Sequence, residues 1–451
     1  MRFRASDVAA ATGGRLTGPD VLIDGASFDS RSTQPGQLFV PLMAERDGHE
    51  FIGGALARGA AAYLTSRPAA GEPTSGTAIE VPDTLRALMA LAAAQRLRFE
   101  GPVIGITGSV GKTSTKDLAW AALAASRSTW ANERSFNNEQ GLPTTVLNTP
   151  EGTEVLVLEM GMRGHGEIAE LCRVGRPTIG VVTRVAEAHS DRVGGIDGVA
   201  RAKGELIESL PATGVAILNH DDIRVRTMAQ RSAATVVFYG EGTHPDLQVR
   251  ISDVRLDDIA RPTFHLHTPW GSAEVHLGVS GRHMVHNAAA ALACVGAVGG
   301  DLAAGAAALA DVGLTAMRME VRRAPSGATI LNDSYNANPT SMRAALDALA
   351  DLPASRRVAV LGLMAEIADP EHEHRTIVEY ARGHHIDVLA YGTELYGITP
   401  VADPVAALGS LARGDAVLVK GSRVVGLERV AAALLCDSQV DEFDVAPPRQ
   451  E

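Results

Sequence analysis

Cysteine is scarce in this 451-residue chain: Cys172, Cys294 and Cys436 are an odd set with no C-x-x-C spacing. That excludes a disulfide framework and suits a reducing compartment, so the cytoplasm is the expected location. Aromatic residues make up only 4%, so the cores must be built from small aliphatic side chains. Basic residues are the minority, 41 Lys+Arg against 53 Asp+Glu, for a net charge of -12. A nucleic acid or an anionic membrane surface is therefore not the expected partner. No apolar run reaches the roughly 18 residues of a membrane span. The longest, residues 288–300, is too short, and Asp7 interrupts the N-terminus before a signal-peptide core can form.

What the chain does have is glycine, 46 residues of it, within a 45% apolar composition typical of globular proteins. At about 150 residues per domain, its length predicts three domains. Over residues 1–98, short apolar runs alternate with Gly/Pro turns and one Ala-rich helix at Thr84–Arg96. Over 99–313, buried-strand runs at 103–106, 155–158, 179–182 and 215–218 alternate with helical segments, the rhythm of a doubly wound parallel sheet. Residues 249–277 switch to strict alternation and read as a small antiparallel insertion. The strand-helix rhythm restarts over 314–438 as a third, Rossmann-like α/β unit, and residues 439–451 read as a disordered tail. The expected fold class is α/β in three domains, the central one a P-loop-like ATPase domain.

The segment Gly105-Ile-Thr-Gly-Ser-Val-Gly-Lys-Thr113 falls where a strand turns into a helix. Such a junction gathers unpaired backbone N–H groups and the helix N-terminus around one point and so attracts phosphate. Gly108, Ser109, Val110, Gly111, Lys112, Thr113 and Ser114 are the candidate ATP contacts. Lys112 would reach the β/γ-phosphates, and the Thr113 hydroxyl would ligate Mg²⁺. It is not a strict Walker A, because Ile106 stands where that motif has its first glycine.

The run Thr107-Gly-Ser-Val-Gly-Lys-Thr113 resembles the ATP loop of the Mur ligases, the amide-forming enzymes of peptidoglycan precursor synthesis. The resemblance extends through residues 1–438. It implies metal ligands at Glu159, His189 and Lys203, the last as a CO₂-derived carbamate that would hold the second of two Mg²⁺ ions. It also implies catalytic roles for Lys112, Lys203 and His189. Asn287, after Gly281-Arg-His-Met-Val-His286, is expected at the opening of an Ala-rich helix and in contact with adenine. Arg318 and Asp333 are expected to reach ATP from the third domain.

Phe136-Asn-Asn-Glu-Gln-Gly-Leu-Pro143, Asn332-Asp-Ser-Tyr-Asn-Ala-Asn-Pro339 and Val419-Lys-Gly-Ser-Arg423 resemble most the family branch that adds D-Ala-D-Ala. The implied substrates are UDP-MurNAc-tripeptide and D-Ala-D-Ala, joined through an acyl phosphate by a monomer without membrane insertion. Substrate contacts are then expected at Ser30, Arg31, Asn137, Asn138, Tyr335, Asn336 and Lys420. Leu363 and Ala368 depart from the family pattern, where Asp and Gly are common, so no dipeptide-binding role is assigned to their loop. Two other readings stay open: a sibling branch or a folylpolyglutamate-type synthetase, and a nucleotide-binding module without catalysis.

Overall fold

The computed structural model describes residues 1–67, 76–133, 135–186, 193–365 and 367–436, so His189 and the tail 439–451 lie outside the described residues. The chain divides into two compact units. The first comprises Met1–Arg255, Thr263–Gly278 and Met284–Thr315; the second comprises Leu256–Pro262, Val279–His283 and the residues from Ala316 on.

The first unit is organised by strands that are apolar on both faces and therefore lie inside a sheet covered by helices. Val103–Thr107 and Val155–Glu159 are buried at every residue, as is Ile179–Val182. They belong to a nine-stranded sheet. Its order is Gly271–His276, Pro262–Thr268, Leu247–Leu256, Thr235–Glu241, Val215–Asn219, Ile179–Val182, Val103–Thr107, Val155–Glu159, Thr129–Ala131. The parallel pairs on either side of Val103–Thr107 put the change of winding direction at that strand, the place where open α/β sheets bind ligands beyond their carboxyl edge.

The antiparallel strands read as a separate insertion over 249–277 instead continue this sheet. Leu247–Leu256 pairs parallel to Thr235–Glu241, and the hairpin Pro262–Thr268/Gly271–His276 extends it. An uncovered edge of N–H and C=O groups is a ready template for further strands, which sequence alternation alone does not reveal.

Two glycines set how closely a helix lies on the sheet. Gly105 and Gly180 are register partners on neighbouring strands. A Cβ at Gly105 would meet Leu206 Cδ1 at 2.9 Å, and one at Gly180 would meet Leu206 Cγ at 3.3 Å. Leu206 belongs to the helix Gly195–Glu208. An added methyl at Gly105 would push that helix outward at a cost of about 1–3 kcal/mol. The helix Lys112–Ala124 packs on the Ala-rich helix Met284–Ala297, whose small residues allow close approach.

The N-terminal part carries its own five-stranded sheet, ordered Arg15–Thr17, Thr77–Glu80, Ala62–Thr65, Leu38–Phe39, Ala26–Ser27, and a two-stranded ribbon of Arg2–Arg4 with Leu22–Asp24. It is fastened to the rest of the first unit by buried polar ties. The terminal ammonium of Met1 donates to the Leu147 and Thr149 carbonyls at 3.0 and 2.8 Å. Asn148 accepts the Ala26 N–H and donates to the Ala26 carbonyl, both at 2.9 Å. Buried Arg96 donates to the Gly175 carbonyl at 2.7 Å, and burial lowers its pKa to about 10.

The second unit is a five-stranded sheet ordered Glu320–Arg323, Thr329–Asp333, Asp415–Lys420, Arg356–Leu361, Asp387–Ala390, parallel except for the first pair. Its helix Pro339–Ala350 starts with an Asn338 cap and a proline in the first turn, as its sequence directs.

Candidate active site

The loop 108–111 leaves the central strand and turns into the helix Lys112–Ala124 through Gly111, at φ 83°. A side chain there would be strained, and it would also have no room: a Cβ would fall 2.6 Å from Asn287 Oδ1. Asn287 is the fourth residue of its helix, which begins at Met284, so it does not open the helix as the sequence reading had it. Helical propensity in an Ala-rich run carries the helix one turn further back. The consequence is that the buried Asn287 amide sits against the phosphate loop.

The loop is clamped to the next strand's exit. Ser109 N–H donates to the Arg184 carbonyl at 2.6 Å and Ser109 Oγ to that of Ala186 at 2.8 Å. Thr183 Oγ1 donates to the Val110 carbonyl at 2.6 Å. Lys112 folds over the loop, its ammonium donating to the Gly108 carbonyl at 2.7 Å and lying 3.4 Å from that of Ser109. Thr113 and Ser114 are buried in the first helical turn.

Glu159 ends the adjacent strand and is only 1% exposed. Its Oε1 accepts from Asn137 Nδ2 at 2.6 Å, and its own N–H donates to Asn132 Oδ1 at 2.6 Å. Its Oε2 is buried with no hydrogen-bond partner. A buried, unsatisfied carboxylate oxygen is costly, and a divalent cation is the natural partner to complete it. This acceptor, with the Thr113 hydroxyl, fits Mg²⁺.

Lys203, on the helix Gly195–Glu208, is 3% exposed. Burial, with the charge of Lys112 second, holds its pKa well below the ordinary lysine value. Such a shift favours the neutral, nucleophilic form of the amine.

Ser30 and Arg31 lie in a turn after Asp29. The exposed Arg31 guanidinium forks onto the Asp29 carboxylate, Nε at 3.0 Å and Nη2 at 2.8 Å, and that pairing lowers the Asp29 pKa. Asn138 Oδ1 accepts the Gly141 N–H at 3.0 Å and so anchors the start of the helix Gly141–Leu147.

The second unit assembles its own group. The Arg318 guanidinium stacks over the Tyr335 ring at 4.2 Å. Met317 and Met319, on either side of Arg318, both have left-handed φ, 63° and 48°. Asp333 Oδ1 accepts the Met319 N–H at 3.0 Å, and its Oδ2 pairs with buried Lys420. Lys420 also donates to the Asn336 carbonyl at 2.9 Å, while Asn336 Oδ1 accepts the Ala337 N–H at 2.9 Å. The departing loop near Leu363 is tied to the same strand end: the Leu363 carbonyl accepts the Ser422 N–H at 2.8 Å.

Sequence reasoning missed three residues that shape the site. Asn132 bridges Glu159 and the Phe136 carbonyl. Buried Lys116, one turn beyond Lys112, donates to the Asn132 carbonyl at 2.9 Å. Thr183 clamps the loop. The legible signal was position: Asn132 and Thr183 are polar residues directly after strands whose carboxyl ends meet the loop.

A loop of phosphate-binding type at the winding switch, a buried acceptor for a cation and a buried lysine together fit an ATP-using ligase of the α/β type. Comparison with known proteins gives the class its name. Residues 106–295 match the Mur ligase middle domain and residues 317–423 the Mur ligase glutamate ligase domain. The chain belongs to the Mur ligase family. A UDP-N-acetylmuramoyl-tripeptide--D-alanyl-D-alanine ligase of Mycobacterium tuberculosis is 39% identical over 91% of this chain and 92% of its own length. The structure of MurF from Acinetobacter baumannii superposes with a TM-score of 0.85 at 28% identity, covering 96% of this chain and 99% of that one. MurF from Thermotoga maritima, solved with ADP, gives 0.80 at 27% identity, covering 91% and 96%. Within the family the chain is a ligase of the MurF branch.

Proposed function

We propose that the protein joins D-Ala-D-Ala to UDP-MurNAc-tripeptide at the expense of ATP, as a cytoplasmic monomer. The observation that carries this reading is the unpartnered Glu159 oxygen beside the phosphate loop, in a chain whose relatives bear that ligase name. The other two readings lack this support, since a sibling branch would bring different names and a silent module has no need of a buried acceptor.

A carboxylate resists amine attack because charge and resonance both oppose it, so it is first activated. A tripeptide carboxylate oxygen attacks the γ-phosphorus of ATP, the bond to ADP breaks, and an acyl phosphate forms. The D-Ala-D-Ala amine then attacks the carbonyl carbon, loses its proton, and inorganic phosphate leaves. Lys112, swung from the loop carbonyls, neutralises charge on the transferring phosphoryl group. Asn287 packs beside the loop where adenine is expected. Arg318 and Asp333 serve the nucleotide, and Tyr335, Asn336 and Lys420 the substrate. Ser30 and Arg31, within the proposed domain 1–98, hold the UDP end. Asn137 orients Glu159, and Asn138 fixes the turn beside it.

Thr113 and Glu159 would hold one Mg²⁺, and His189 with Lys203 the second; the bound ions would neutralise phosphate charge. For Lys203 to be a ligand it must be an anion. In its neutral form, which burial favours, the amine can add CO₂ at carbon, releasing one proton and leaving a carbamate with two oxygen donors.

Phosphate release measured with UDP-MurNAc-tripeptides and a panel of amines tests the reading. D-Ala-D-Ala should drive turnover, and single amino acids should not. Equal turnover with glutamate or a single amino acid would overturn it.

A further inference from the structure

We propose that His220, His244 and Asp246 form a binding site for a transition-metal dication of the zinc type, separate from the Mg²⁺ acceptors at Glu159. One donor atom from each of the three lies within 4.8 Å of the others. His220 follows the strand Val215–Asn219, and its N–H donates to the Tyr239 carbonyl at 2.9 Å. His244 and Asp246 sit in the turn between Thr235–Glu241 and Leu247–Leu256. All three therefore cluster at the carboxyl edge of adjacent parallel strands.

The telling atom is His220 Nε2, buried with no hydrogen-bond partner in a residue only 7% exposed. Phe238 packs edge-on against the ring at 5.5 Å, and the His244 ring lies 4.4 Å away. A buried ring nitrogen without a partner is costly, as at Glu159, but here the neighbouring donors are an imidazole and one carboxylate. That set selects Zn²⁺, Co²⁺ or Ni²⁺ over Mg²⁺, which prefers oxygen.

A tetrahedral zinc with bonds of roughly 2.0–2.1 Å needs its ligands about 3.4 Å apart. The two turn residues must close by up to about 1.4 Å. They are exposed and can do so by changing rotamer. His244 would give up the long 3.2 Å contact in which its Nδ1 accepts the Asp246 N–H. A fourth position stays open to water. The ion would clip the 242–246 turn to the strand end.

The neighbouring Asp221 has one oxygen committed, while its Oδ1 lies 3.8 Å from His220 Nδ1. Its Oδ2 accepts from His286 Nε2 at 2.8 Å and from the Glu241 N–H at 2.8 Å.

The test is calorimetric titration of the untagged full chain with Zn²⁺ in excess Mg²⁺, repeated with Co²⁺ and read by visible d–d absorption. One equivalent should bind, with the Co²⁺ spectrum of a tetrahedral nitrogen/oxygen site. His244→Asn and Asp246→Asn, both exposed, should each weaken binding by more than the roughly tenfold expected of losing an outer-shell partner, and the double variant should abolish it. Circular dichroism reports that these variants are folded. No Zn²⁺ uptake by the wild type, or uptake unchanged in the double variant, would overturn the proposal.

Discussion

The ammonium of Lys112 bears on the amine of Lys203. Burial is the larger cause of the low Lys203 pKa, and the charge on Lys112 is the second. The phosphate-loop cation thus favours the uncharged form of its neighbour, the form that CO₂ addition requires.

If Lys203 carries a carbamate, Lys203→Arg should be inactive, because a guanidinium stays protonated and takes up no CO₂. Lys203→Ala should regain part of its activity with acetate, which can supply a carboxylate in the vacated space. With ¹³C-bicarbonate the wild type should show a carbamate carbon resonance that Lys203→Arg lacks. An active Arg variant without acetate rescue in the Ala variant would leave Lys203 a plain cation.

Glu159→Gln keeps the shape and an acceptor for Asn137 but removes the charge. The Mg²⁺ concentration for half-maximal turnover should rise about tenfold or more, equivalent to about 1.4 kcal/mol of lost cation binding. Thermal stability should hold or rise, since an unsatisfied buried charge is gone. An unchanged Mg²⁺ titration would remove Glu159 from the metal site.

Arg31→Ala should raise KM for the UDP-tripeptide by about tenfold, with KM for ATP unchanged. Arg31→Lys should recover only part of the loss, because an ammonium does not reproduce the planar fork. A change confined to the ATP KM would place the uridine end elsewhere.

His374 offers a pH test in the second unit. It is wholly buried, and its Nε2 accepts the Met364 N–H at 2.9 Å while Nδ1 faces the Pro370 carbonyl at 2.6 Å. Burial lowers its pKa, against the opposing pull of that carbonyl. The unfolded chain therefore binds a proton below about pH 6.5 that the folded chain refuses. Stability is full above that pH and falls as the pH drops from it toward the lowered folded value. His374→Gln should lower Tm at pH 7.5 yet flatten the decline between pH 6.5 and 5, as scanning calorimetry would show. An equally steep decline would assign the acid sensitivity to other groups.

Much of the machinery is local and so was legible. Gly111-Lys112-Thr113 can be read as a phosphate loop because turn, helix start and cation lie within a few residues, and the apolar runs ending at Leu158 and Val182 identify their strands without help. The bonding of Asn137 and Asn138 could not be read this way. Both are expected as substrate contacts from sequence, and what sequence does not show is that Asn137 holds Glu159 from 22 residues away and that Asn138 anchors a helix.

The sequence by itself determined the α/β rhythm, the phosphate loop and the candidacy of Glu159 and Lys203, because periodicity and short motifs are written in adjacent residues. Tertiary structure alone decided that Glu159 has an unsatisfied oxygen, that Lys203 is buried with a lowered pKa, that Asn287 rests on Gly111 and that His220 meets His244. Each of these depends on which groups are removed from water together, and desolvation is a property of packed neighbours distant in the chain.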